Sequence, residues 1–159
     1  RSFAPTSQQL GVGKHPHRGF ETVTLAFQGE IEHADSAGNR GVIRPGDVQW
    51  MTAGRGIVHE EYHSRTFAKN GGTLEMCQLW VNLPREHKMT APQYQPLSGE
   101  TIPMVPLSAD DAEMVHGHVR VIAGSYLGAA GPAQTRTPID VWDILLQTLE
   151  RPVDLEVPA

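Results

Sequence analysis

Four side chains in two short runs have the types and spacing to hold one metal ion. The first run is His15-Pro16-His17-Arg18-Gly19-Phe20-Glu21, and the second is Gly54-Arg55-Gly56-Ile57-Val58-His59-Glu60-Glu61. Each supplies a pair two residues apart: His15 with His17, and His59 with Glu61. On a β-strand, residues i and i+2 share a face and stand roughly 6.5 Å apart along the chain. Two such pairs on adjoining strands can aim four ligand atoms at one point inside a barrel. A second His-x-His pair, His116-Gly117-His118, exists, so spacing alone is weak. The company of the first pair strengthens it. Pro16, with no N–H to offer, suits the start or edge of a strand, and the second pair follows a glycine-punctuated turn, where strand ends commonly carry functional residues.

Three imidazoles and a carboxylate form a hard-to-borderline set with room for two more ligands. Such a set suits Fe(II) and tolerates Ni, Co, Mn, Cu or Zn. Without thiolates or a closed tetrahedron, it reads as catalytic or sensing, not structural.

The elements that must position these residues read as β throughout. Glu21–Phe27 alternates polar with apolar, the pattern of a half-buried strand. Ile31–Asp35, Gly41–Ile43, Val48–Thr52 and Ile57–His63 follow as short strands divided by turn residues, and Leu74–Leu83 is the longest strand expected. In Arg44-Pro45-Gly46-Asp47, Pro45 presets φ and Gly46 supplies a positive φ, which predicts a type II turn. Short strands at this spacing indicate an antiparallel sandwich or barrel. Pro84 to about Leu107 shifts to Pro, Gln, Ser and Met and reads as an irregular crossing segment. Ala109–Glu113 reads as a polar turn or single helical turn, Val115–Ala123 as a strand, and Gly124–Gly131 as a flexible connection. Val141–Leu149, between Pro138 and Pro152, reads as a strand.

Composition bounds the remainder. The 159 residues, 39% hydrophobic and 19% charged, fit one domain or one domain with part of another. Sixteen Gly and 12 Pro favour short strands over long helices. A net charge of −5 argues against nucleic acid as the direct partner. No basic run or long apolar stretch points to a membrane. The single Cys77 excludes an intramolecular disulfide and suits a reducing compartment, so a cytoplasmic protein is expected. The chain opens on Arg1-Ser2-Phe3 with neither an initiator Met nor a signal-peptide pattern. It closes in a strand-rich run, and a processed or truncated product is expected.

His15–Val23, Pro45–His59 and the later Gln78-Leu79-Trp80-Val81-Asn82-Leu83-Pro84 closely resemble the pirin family of the cupin superfamily. The resemblance is strong from Gly11 to Leu97 and looser beyond, through Ala91–Gln95 and Thr137–Ile139. It implies an all-β bicupin, two double-stranded β-helix (jelly-roll) barrels, with the metal in the N-terminal one. The expected organisation is a metal-bearing cupin barrel over 1–97, a connecting segment over 98–138, and the start of a second, truncated barrel over 139–159. Strands expected ahead of the His-Pro-His motif are missing too. Incomplete barrels leave sheet edges open, and a homodimer is the expectation.

Carried over by position, the pirin metal ligands fall on His15, His17, His59 and Glu61. Glu21 competes for the fourth place, because it stands four residues after His17 as in the common cupin pattern His-x-His-x-x-x-Glu. The pirin match favours Glu61. Glu60 should point the other way and stay solvated.

The resemblance further implies a metal-dependent dioxygenase that opens a flavonol of the quercetin type with O₂, its partners being a small aromatic substrate and O₂. Glu61 would take the proton of the flavonol 3-hydroxyl. Phe20, Trp50 and Met51 are candidate pocket walls, though each alone is more simply core. The alternative is an iron-binding regulatory protein that docks on other proteins without turnover. Outside these motifs, His116 and His118, with no carboxylate nearby, are not expected to form a second metal site. His33, His63 and His87 carry no motif, and Arg18 and Arg55 flank the ligand runs with no assigned role. Asp110 and Asp111 read as a solvated turn.

Overall fold

The computed structural model describes residues 1–108 and 115–147, with 155 and 157. The reading of Ala109–Glu113 as a turn, with Asp110 and Asp111, and the last two residues of Val141–Leu149 lie outside the described residues. The chain divides into two compact units, Arg1–Glu100 and Thr101–Ala159.

The first unit runs β1 (Ser2–Phe3), β2 (Gly11–His17), β3 (Phe20–Gln28), β4 (Ile31–Asp35), β5 (Arg40–Ile43), β6 (Val48–Thr52), β7 (Ile57–His63), α1 (Arg65–Asn70), β8 (Gly72–Thr73), β9 (Glu75–Asn82) and β10 (Gln93–Leu97). Its long strands form two antiparallel four-stranded sheets, in the orders β2-β7-β4-β5 and β10-β6-β3-β9. Two such sheets make the cupin jelly-roll. Apolar clusters of Ala26, Ile31 and Ile43, and of Met51, Ala53 and Ile57, join residues of both sheets.

Local chemistry explains the corners. The Arg44–Asp47 turn closes with the Asp47 amide donating to the Arg44 carbonyl (2.9 Å) and Gly46 at φ 91°, the predicted type II turn. Gly54, at φ 50°, lies so close to Thr90 that an added Cβ would strike the Thr90 carbonyl oxygen. Only glycine fits this corner between β6 and β7. Ser64 caps α1, its hydroxyl accepting from the Phe67 amide at 3.0 Å and donating to Glu30 at 2.6 Å.

The expectation of an irregular segment over Pro84–Leu107 is corrected. Gln93–Leu97 is β10, paired residue for residue with β6, and Met104–Ser108 is a strand of the second unit. Pro96 hid the first of these. A proline is tolerated there because β10 is the edge of its sheet and needs no further N–H donor.

The second unit comprises β11 (Met104–Ser108), β12 (Val115–Ala123), β13 (Ser125–Tyr126), β14 (Ala129–Ala130) and β15 (Val141–Leu146). β11, β12 and β15 make an antiparallel sheet over a core of Leu107, Val119, Val121 and Tyr126. The expected Gly124–Gly131 connection is a short β13–β14 hairpin. Among the described residues no helix is long and apolar enough to cross a membrane.

Candidate metal centre

Strand pairing puts the predicted ligands on one face of the β2-β7-β4-β5 sheet. His15 sits opposite His59, and His17 opposite Ile57. Glu61 is flanked by Val12 on β2 and by His33 on β4, two residues from His59 and on its side of the strand. The register of β2 shifts between Val12 and His15, the mark of a bulge that re-aims side chains. Glu60 points to the outer face, where it lines a surface cavity with Tyr62 and Arg65.

His15, His17 and His59 converge. Their ring nitrogens lie within 4.8 Å of one another, the one such group among the described residues. His15 Nε2 stands 3.1 Å from His17 Nε2. Two ligands at adjacent positions of an ion with bonds of about 2.1 Å would be about 3 Å apart, so this spacing suits a shared ion. The other nitrogen of His15, Nδ1, is 2.8 Å from the Gly13 carbonyl. A carbonyl can only accept, so in the neutral ring Nδ1 carries the proton and Nε2 presents its lone pair toward His17. His59 is 1% exposed and neither of its ring nitrogens has a hydrogen-bond partner. Buried polar atoms are rarely left so. A buried lone pair aimed at two others is what a cation would satisfy, and the donor set fits a divalent metal.

Electrostatics agree. Burial, then the neighbouring His17, His15 and His33, push the His59 pKa down to about 3, against a smaller upward pull from Asp35. Burial, then His15, also lowers that of His17. Both imidazoles are therefore neutral at pH 7, the form that binds metal.

Glu61 stands at the edge of the group, its Oε2 4.0 Å from His59 Nε2. Burial raises its pKa, against downward pulls from its Gln78 hydrogen bond and from His15. Glu21 lies elsewhere. It pairs with Thr52 and Val81, on the opposite side of β3 from Thr22 and Thr24. There it is fully buried and accepts from the Thr52 hydroxyl at 2.6 Å.

The facing sheet supplies a wall that sequence reasoning did not single out. Thr24, Gln78 and Trp80 share the face of Phe20, Thr22 and Met51. Gln78 donates to Glu61 across the gap between the sheets, which shows that this face looks onto the ligands. Phe20 and Trp80 pack against His17, with ring centroids 4.9 and 5.5 Å away. Trp50, one residue from Met51, points the other way, paired with Val23 and Gln95. Of the candidate walls, Trp50 is core: strand alternation allows Met51 or Trp50 to face the site, not both. His33, which carried no motif, is also buried here, 5.6 Å from His59 by ring centroid and stacked on Tyr94 at 5.1 Å. Its Nε2 is 3.7 Å from Asp35. Arg18 lies outside the group, its guanidinium against Met89 Sδ. In the second unit His116 is buried and His118 partly so, with no third ligand type gathered beside them among the described residues.

The match to the pirin family runs over residues 2–81 and spans His15, His17, His59 and Glu61. The chain belongs to the pirin family. It is 59% identical over 145 residues to a Pseudomonas aeruginosa protein named "Putative quercetin 2,3-dioxygenase", covering 91% of this chain and 49% of that one. The solved structure of quercetin 2,3-dioxygenase from Acinetobacter baumannii superposes with a TM-score of 0.84 at 54% identity, over 91% of this chain and 48% of that chain. A bacterial pirin from Escherichia coli in complex with nickel(II) matches at 28% identity and a TM-score of 0.50, over 71% of this chain and 50% of that chain. The chain thus spans about half the length of each of these proteins, as a cupin barrel and more of a bicupin pirin.

Proposed function

We propose that this pirin holds one divalent transition metal on His15, His17, His59 and Glu61 and opens a flavonol ring with O₂. The observation that carries the reading is the convergence of three imidazole nitrogens within 4.8 Å around a buried His59 that lacks any hydrogen bond. The names of the Pseudomonas and Acinetobacter relatives supply the substrate class. Fe(II) leads among the metals on donor chemistry, and the nickel-bound pirin supports tolerance of Ni(II).

Bound there, the ion supplies Lewis-acid polarisation of an enolic oxygen and electron exchange with O₂. The chain's own residues do the rest. Glu61, its pKa raised by burial, takes the proton of the flavonol 3-hydroxyl on a carboxylate oxygen. It must come within about 2.6–3.2 Å of that hydroxyl to do so. Phe20 and Trp80, packed against His17 and tilted on each other, offer the flat apolar surface an aromatic substrate needs. The unpaired Cys77 supports a reducing, cytoplasmic setting.

The test is anaerobic reconstitution with Fe(II), then oxygen uptake with quercetin by the wild type, Glu61→Ala and Glu21→Ala. Uptake with matching loss of flavonol absorbance, abolished by Glu61→Ala and retained by a folded Glu21→Ala, is expected. Metal binding without uptake would overturn the dioxygenase and favour an iron-binding regulatory protein.

A further inference from the structure

Gln78 is a polar residue in an otherwise apolar stretch of β9, and every polar atom of its amide is engaged. Nε2 donates to the Thr24 hydroxyl at 3.1 Å and to both carboxylate oxygens of Glu61, at 3.1 and 3.2 Å. Oε1 accepts from the indole Nε1 of Trp80 at 3.1 Å. An amide has two N–H groups, so one serves Thr24 and the other is shared across the carboxylate. Thr24 is 1% exposed and the Glu61 side chain 14%, so little water competes for the bonds of Nε2, whereas the Trp80 bond lies at the solvent edge, the indole residue being 66% exposed.

The amide can face only one way. An indole N–H can only donate, so it must meet the amide oxygen, and an ionised carboxylate can only accept, so it must meet the amide nitrogen. A flipped amide would set oxygen against carboxylate and N–H against N–H. Trp80 and Gln78 are two apart on β9 and share a face, so the indole holds the amide and the amide holds the carboxylate. The near-equal distances to the two carboxylate oxygens matter. One oxygen can turn to the His15, His17 and His59 nitrogens while the other keeps its bond.

Resting on the metal reading above, we infer that Gln78, itself oriented by Trp80, is the positioning residue that presents the Glu61 carboxylate to the metal. It touches neither metal nor substrate. Partners of this kind around a ligand typically govern ten- to a hundredfold of metal affinity.

The test is a double-mutant cycle on Co(II) affinity, measured by chelator competition on the 159-residue chain. Visible Co(II) absorption is recorded in parallel. Gln78→Met keeps length and volume without donors, and Trp80→Phe keeps an aromatic ring but frees the amide. Gln78→Met is expected to weaken binding about tenfold and to shift the Co(II) bands. Trp80→Phe should weaken it in the same direction by a smaller factor. In a Glu61→Ala background Gln78→Met should change affinity by less than about twofold and leave the bands in place, because nothing remains to position. An equal loss in both backgrounds would make Gln78 merely structural and overturn the inference. So would unchanged affinity in both Gln78→Met and Trp80→Phe. Should Gln78→Met lose its strand circular dichroism, Trp80→Phe with and without Glu61→Ala decides on the same criterion. The metal reading fails separately: a wild type that does not bind Co(II), or a His59→Ala variant that binds equally well, would overturn both.

Discussion

His59 is where the site's chemistry and its cost to stability meet. Its imidazole is buried, pushed down to a pKa of about 3, and left without a hydrogen bond. His17, His33 and His63 are shifted the same way, first by burial. In the unfolded chain such groups titrate near 6.5. Below that pH the unfolded state binds more protons than the folded state, so stability falls as pH falls. For His59 alone the loss between pH 7 and pH 5 is about 2 kcal/mol. Glu61, with its raised pKa, acts with the opposite sign, since the folded state protonates first there as pH falls. The metal-free protein should therefore lose urea resistance on acidification from pH 7 to 5, and His59→Leu should flatten that slope. A midpoint independent of pH would contradict the assignment. Glu21 provides the residue-scale contrast. Glu21→Gln should leave metal affinity within about twofold, because its carboxylate serves Thr52 on the far side of β3.

Among the elements, those bracketed by turn residues were legible. β4, β6, β7 and β12 fall at the expected boundaries because turns carrying Gly29, Gly46, Gly54, Gly56 and Gly124 mark their ends. The Pro45-Gly46 turn was legible for the same reason: its backbone geometry admits few other residues. β10 was not, because Gln-Tyr-Gln-Pro-Leu satisfies a sheet edge by pairing with β6, which no local pattern records. α1 escaped as well, six residues being too short to show a period. Strand parity allowed either Glu21 or Glu61 beside the histidines. Only the cross-strand register shows which sheet face each occupies. Gln78 and Trp80 carried a pattern match without a role, since their partners Thr24 and Glu61 are distant in sequence. Two substitutions test the elements. Gly54→Ala combines a left-handed φ with a collision against Thr90 and should cost about 2 kcal/mol or more in urea unfolding. Ser64→Ala removes the cap of α1 and should cost about 1 kcal/mol.

For the molecule as a whole, the cupin barrel of the first unit reads as a frame built around one cation. Its two sheets bring imidazoles from one side and the Gln78–Trp80 pair from the other. A metal that binds only the folded state stabilises it by about 2.7 kcal/mol at a concentration a hundredfold above its Kd. The thermal midpoint should then rise by several degrees on adding Ni(II) or Fe(II), and fall back with a chelator. The measurement that bears most directly on the ligand set is metal content after anaerobic loading and dialysis, in the wild type, His59→Ala and Glu61→Ala. The site as described predicts one ion per wild-type chain, almost none in His59→Ala and a weakened, partly lost ion in Glu61→Ala. A full ion retained by His59→Ala would contradict it.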